Sequence, residues 1–241
     1  MHYLYCLLLL LVCSTVAHAE ISAKHLPNIV DLDSLVDTLD ESTINESIKA
    51  RGGIITANLP AGESARGNAA AEIARHLSGG SAKTQSQLKD AFSQSRKEVE
   101  SYLQQQQFAI GDMGVAYALS FITLWELASH KELSEQASLA AGKYMVHIFD
   151  DLGSAYAELD SAQKDSAYDF LMDTPIIFTG LVQAFEKEGK RQQVQQLRQQ
   201  SAQLFKELTK IPHTFISFSN TGEFSVSQDG LRHYQKQQRR Q

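Results

Sequence analysis

The stretch DMGVAYALSFITLWELAS, Asp112 to Ser129, constrains this chain more than any other. It is apolar on nearly every side, and a helix of that character lies inside a bundle or inside a membrane. Asp112, Ser120, Thr123 and Glu126 punctuate it. Polar and ionisable groups are costly in hydrocarbon, so the stretch reads as the central helix of a soluble bundle, with the other helices as its cover. Asp112 is placed to cap its N-terminus, where a carboxylate accepts from free amides and favours the positive end of the helix dipole. Ser120 and Thr123 can return their hydroxyls to the preceding turn. Tyr117 and Trp125 need partners for their polar atoms if they are buried.

The surrounding pattern is helical too. Asn68 to Leu77 reads as a short helix with Ala70, Ile73, Ala74 and Leu77 on one face, stopped by Gly79-Gly80. The next helix is expected from about Lys83 to Gln107. There Leu88, Phe92, Val99 and Leu103 recur at helical spacing, and Ser95 and Arg96 fill the gap. Another covers about Leu133 to Leu152 through Ala137, Ala140, Ala141, Tyr144 and Ile148, its small residues allowing close approach to the central helix. Asp160-Ser161-Ala162-Gln163 is a capping box for a helix reaching about Lys187, through Tyr168, Leu171, Met172, Phe178, Val182 and Phe185. Pro175 inside it removes a backbone donor and crowds the carbonyl four residues back, which predicts a kink over Leu171 to Pro175. Gly189 closes that helix. The last one, about Lys190 to Lys210, turns Val194, Leu197, Ala202, Phe205 and Leu208 inward and ends at Pro212.

At Thr214 to Val226 the period changes from helical to alternating. Ile216 and Phe218 share a face, as do Phe224 and Val226, and Asn220-Thr221-Gly222 can turn the chain. A lone hairpin is marginal in water, so this one has to lie on the bundle. The expected fold class is therefore all-α: a bundle of five to six helices around a central apolar helix, with a small C-terminal β-hairpin.

The ends read differently. Residues 1–19, MHYLYCLLLLLVCSTVAHA, resemble a secretory signal: an apolar run, then the small-residue site Ala17-His18-Ala19 before Glu20. The run is shorter than the roughly 20 residues that span a bilayer. Cys6 and Cys13 both lie in this segment, and Val12 is bulkier than a lipoprotein site before Cys13 prefers. The expectation is export, periplasmic or secreted, after cleavage near Ala19, leaving a chain without cysteine that depends on its core alone. Residues 20–66, with Ile54-Ile55-Thr56 as an isolated strand, read as a poorly ordered N-terminal arm, 67–226 as the helical domain, and 227–241 as a disordered basic tail. The signal contains no Asp, Glu, Lys or Arg, so the net charge of −6 is unchanged by its removal. An acidic body argues against nucleic acid as a partner.

Three places could carry chemistry. His147, Asp150 and Asp151 stand at i, i+3, i+4, as helical metal ligands often do; their plain reading is a solvated face. Asp169 and Asp173 stand one turn apart beside the proline and could share a proton or bind a cation; their plain reading is an acidic surface stripe. Asp112 reads as a helix cap. GGSAKT at Gly79 to Thr84 lacks the Gly-Lys pair of a phosphate loop. No HExxH, CxxC or nucleophile elbow is present. His76, His130 and His213 have no partners that the sequence identifies. No catalytic residue, metal ligand or cofactor is assigned.

The order AAAEIARHL, QLKDAFSQSRKEVESYL, Gly111-Asp112 before an Ala- and aromatic-rich helix, AYAELDSAQKDSAYDFL and FISFSNTGEFSV resembles DUF6683, a bacterial family of exported proteins, over roughly Ala69 to Val226. The resemblance implies an exported helical protein and no particular activity. Two functions then stand side by side. One is a non-enzymatic protein acting through a protein partner or a small apolar ligand. The alternative is an enzyme or metal-binding protein with a site at the kinked helix of about Asp160 to Lys187 or the His147 cluster. A pocket with converging polar groups would favour a ligand or substrate site, and an exposed apolar patch of several hundred Å² would favour a protein partner.

Overall fold

A computed structural model describes residues 41–61, 68–151, 156 and 159–232. The signal-like segment 1–19 lies outside them, as do the start of the N-terminal arm and residues 233–241 of the tail.

The described helices are α1 (Glu41–Ala50), α2 (Asn68–Leu77), α3 (Ala82–Gln105), α4 (Met113–Ser129), α5 (Glu135–Asp151), α6 (Ser161–Lys187) and α7 (Arg191–Thr209). A 3₁₀ turn, His213–Phe215, leads into β1 (Ile216–Phe218), which pairs antiparallel with β2 (Phe224–Val226) in the register Ile216↔Val226, Phe218↔Phe224. The protein is thus a helical bundle with one small C-terminal hairpin. No helix among the described residues is long and apolar enough to cross a membrane.

α4 is the central helix. Asp112 caps it, accepting from Val115 N at 3.2 Å. His130 ends it in the left-handed conformation, with its N–H donating to Glu126 O. Its sides bury Val115, Tyr117, Phe121, Leu124, Trp125 and Leu127 against α5, α6 and α7. The hairpin lies on it, as the marginal stability of an isolated one requires. Phe218 and Phe224 meet Phe121 with ring centroids 6.2 and 5.5 Å away, and Trp125 Nε1 donates to Ile216 O at 3.1 Å. The turn seats Gly222 (φ +87°) against the backbone of α5, where an added Cβ would meet Ala137 O at 2.3 Å.

α6 is a second hub that the sequence pattern understates. Every residue from Ala167 to Pro175 is buried, because α6 packs on α4 and α7 as well as on α2 and α3. α3 belongs to this second group: it packs on α2 and α6, away from the central helix. The capping box forms as read, Asp160 Oδ1 accepting from Gln163 N at 2.8 Å and Gln163 Oε1 from Asp160 N at 3.0 Å. The helix runs through Pro175 as one element. Proline leaves the carbonyl four residues back without its helical donor. That carbonyl belongs to Leu171, and Ser120 Oγ of α4 donates to it at 2.6 Å. Ser120 therefore sends its hydroxyl across to the neighbouring helix, not back along its own.

The described part of the N-terminal arm joins the bundle. Ile55 bridges Phe108 and Pro60 bridges Asp112, and Tyr156 OH donates to Pro60 O. The hairpin is followed by a helical turn at 228–232.

Candidate functional site

The Asp169–Asp173 pair is not a surface stripe. Asp169 is 0% and Asp173 3% exposed. The reason is the second hub: where α6 is covered on all sides, no face is left to be solvated. Arg96 of α3, 7% exposed, lies between them. Its Nη1 donates to Asp169 Oδ1 at 2.7 Å and to Asp173 Oδ1 at 3.0 Å, while its Nε donates to Glu100 Oε1 at 3.0 Å. The guanidinium carbon stands 5.3 Å from the centroid of the Tyr168 ring. Tyr168 in turn accepts from Gly111 N at 2.9 Å. Asp173 Oδ2 accepts from Ala70 N at 3.3 Å, so it satisfies an amide in the first turn of α2. The cation expected beside two carboxylates is thus the chain's own guanidinium.

Charge in this cluster does not balance. Three carboxylates, Glu100, Asp169 and Asp173, share one guanidinium. Burial works against the charge of Arg96, but Asp173, Asp169 and Glu100 outweigh it and hold its proton above the ordinary value. Burial, helped by the negative charge of Asp169, pushes the Asp173 carboxyl up from 3.8 to about 6 against the pull of Arg96. The cluster ties α2, α3 and α6 together, with Arg96, Asp169 and Asp173 buried and Glu100 partly exposed at its rim, which makes it a structural device. Its one signal in sequence was Arg96 itself, on the apolar stripe between Phe92 and Val99.

Asp112 does more than cap. Besides Val115 N it accepts from Thr56 Oγ1 at 2.7 Å, from Ala57 N at 3.2 Å and from Leu59 N at 3.2 Å. One carboxylate thus starts the central helix and holds the arm across it, and Ala57 lies so close that a Cβ on Gly114 would meet its own at 2.5 Å. Tyr117 OH is buried without a hydrogen-bond partner, and burial raises its phenol pKa far above the usual range. His147 is half-buried on α5; the side chains of Asp150 and Asp151 lie outside the described residues. Among the described residues no three His, Cys, Asp or Glu side chains group closely enough to hold a metal. GGSAKT is a helix stop and start: Gly79 and Gly80 take positive φ, and Ser81 Oγ caps α3 through Thr84 N at 3.3 Å.

The open site lies elsewhere. A cleft of about 740 Å³ runs between the end of α4 and the α6–α7 corner. Ala128, Val194 and Ala202 supply its apolar wall; His130, His213, Arg191, Arg198 and Glu186 supply the polar groups. The fold explains the convergence. The left-handed ending of α4 carries His130, and the turn at Gly189 (φ +70°) brings Arg191 beside the last turn of α6. The stop after α7 delivers His213. Arg198 Nη2 pairs with Glu186 Oε1 at 2.8 Å, yet Arg198 Nε is buried with no partner. Burial, and then the neighbouring His130, lower the pKa of His213, so the imidazole is neutral at pH 7. Sequence reasoning noted both histidines but missed their meeting, because nothing local joins positions so far apart in the chain.

Comparison with protein-family models, with curated proteins and with solved structures finds no match to this chain. What the protein binds or does has to be argued from its own sequence and geometry.

Proposed function

We propose that this is an exported, non-catalytic helical protein, of the DUF6683 kind its sequence resembles, that works by holding a small ligand in the cleft between the end of α4 and the α6–α7 corner. One observation carries the reading: an apolar wall and polar side chains from three helices and the 3₁₀ turn converge on a concavity of about 740 Å³. Ligand sites typically measure roughly 300–1,000 Å³ and combine apolar lining with a few placed polar groups. The described surface offers less to a protein partner. Its exposed large apolar side chains are Ile54 and Tyr102, and a docking face needs a contiguous patch of several hundred Å². The catalytic alternative at α6 has little to stand on, since Asp169 and Asp173 are buried and occupied by Arg96. Export rests on the signal-like segment of residues 1–19.

Native mass spectrometry of the protein recovered from the exported fraction tests both parts. The expected result is a chain beginning at Glu20 that carries additional small-molecule mass, lost when Arg198 is replaced by Gln. A chain that keeps residues 1–19 and stays in the cytosol would overturn export. A bound mass unaffected by Arg198→Gln would overturn the cleft as its site.

A further inference from the structure

We infer that the ligand of this cleft is an amphiphile with an anionic head, such as a medium-chain carboxylate, its head seated at Arg191 and Arg198 and its apolar body along Ala128, Val194 and Ala202. The inference rests on the cleft being the ligand site and names the chemistry that site selects.

Three observations carry it. The first is charge. In a chain of net charge −6, this concavity gathers two guanidiniums against a single carboxylate, that of Glu186, whose side chain is half-exposed to solvent. The second is an unused donor. Arg198 gives one arm to Glu186, and its Nε stays buried without a partner. A buried N–H left unpaired is unfavourable, and guanidinium donors match carboxylate oxygens two at a time. The third is the start of α7. Its N-cap residue is Lys190, which provides no side-chain acceptor and pairs with Glu188 instead, so no side chain of the chain caps the first amides beside Arg191. His130 and His213 add imidazole donors to the lining. The apolar lining residues Ala128, Val194 and Ala202 carry no charge to match, which suits a hydrocarbon body better than a free inorganic anion.

Octanoate and octan-1-ol separate the parts of the argument, because each has eight carbons in all and they differ in the head. Each is titrated into the ¹⁵N-labelled chain lacking residues 1–19, with amide shifts followed by NMR. Octanoate is expected to shift the amides of 128–130, 189–202 and 213 saturably, and octanol to bind at least about tenfold more weakly, the scale of one charge-assisted hydrogen bond. Arg198→Gln is expected to weaken octanoate about tenfold or more and leave octanol unchanged. Arg191→Gln, at an exposed position where folding is not at risk, is expected to act in the same direction. Equal binding of acid and alcohol would overturn the anionic head while leaving the cleft as a ligand site. Octanoate shifts confined to other residues, or no saturable shift with either probe, would overturn the head and the cleft together.

Discussion

Asp173→Asn tests the charge imbalance at the centre of the second hub. Burial and Asp169 move the Asp173 carboxyl from 3.8 to about 6. The folded state therefore holds this proton more tightly than the unfolded chain. Below pH 3.8 both states are protonated and the contribution to stability is complete; as pH rises toward 6 the unfolded chain ionises first, and the contribution is lost. At about 1.4 kcal/mol per pH unit, the ionised carboxyl costs the fold about 3 kcal/mol at pH 8 relative to acid. Asparagine is the same shape and cannot ionise, so it escapes that cost. It can accept from Arg96 Nη1 or from Ala70 N but not from both, since its NH₂ must face the other donor. That loss is worth about 1–2 kcal/mol.

The two effects predict a change of sign. At pH 8 the variant should be more stable than wild type by about 1–2 kcal/mol; near pH 4 it should be less stable by about the same amount. Urea unfolding followed by circular dichroism at 222 nm, run on both proteins at pH 4, 6 and 8, reads the difference directly, and other titrating groups cancel in the comparison. A constant deficit for Asp173→Asn at all three pH values would refute the argument. It would mean that Arg96 keeps Asp173 ionised throughout and that burial is not the dominant influence.

Replacing Arg96 by Met leaves Asp169 and Asp173 buried together without a cation, and should cost about 3–5 kcal/mol at pH 8; acidification should restore much of it, and a loss independent of pH would contradict the pairing. Ser120→Ala strands the Leu171 carbonyl and should cost about 1–3 kcal/mol. In a Pro175→Ala background, where position 175 regains an N–H for that carbonyl, the same change should cost measurably less, and strict additivity would show that the two do not share it. Asp112→Ala releases Thr56, Ala57 and Leu59 as well as the helix cap; hydrogen exchange should lose protection across 55–61 together with a stability loss of about 2–4 kcal/mol. Gly222→Ala drives a Cβ into Ala137 O and should lift the hairpin, seen as a red shift in the emission of the single tryptophan, Trp125, with helical circular dichroism retained.

The parts of the fold legible in sequence are those set by neighbours along the chain. The cap at Asp112, the capping box at Asp160, the turn glycines and the alternation of Ile216, Phe218, Phe224 and Val226 each follow from local geometry, and each appears in the structure. What the sequence withheld was which face of each helix would be covered, and by what. A helix with carboxylates at Asp169 and Asp173 looks amphipathic when read alone. It becomes an interior element only once α2 and α3 are laid on the side away from α4, and nothing between residues 161 and 187 says that they will be. Arg96 held the complementary clue on another helix, at a position in its own stripe where an apolar residue was due. A misplaced cation on one helix and misplaced carboxylates on another are each weak signals, because a lone charge on an apolar face can snorkel to water. Together they specify a contact, since a buried charge needs a partner of opposite sign. The cleft shows the same limit more severely. His130, Arg191 and His213 are brought to Arg198, two turns into α7, only because α4, α6 and α7 end where they do, so their chemistry is a property of how the helices meet and not of any motif.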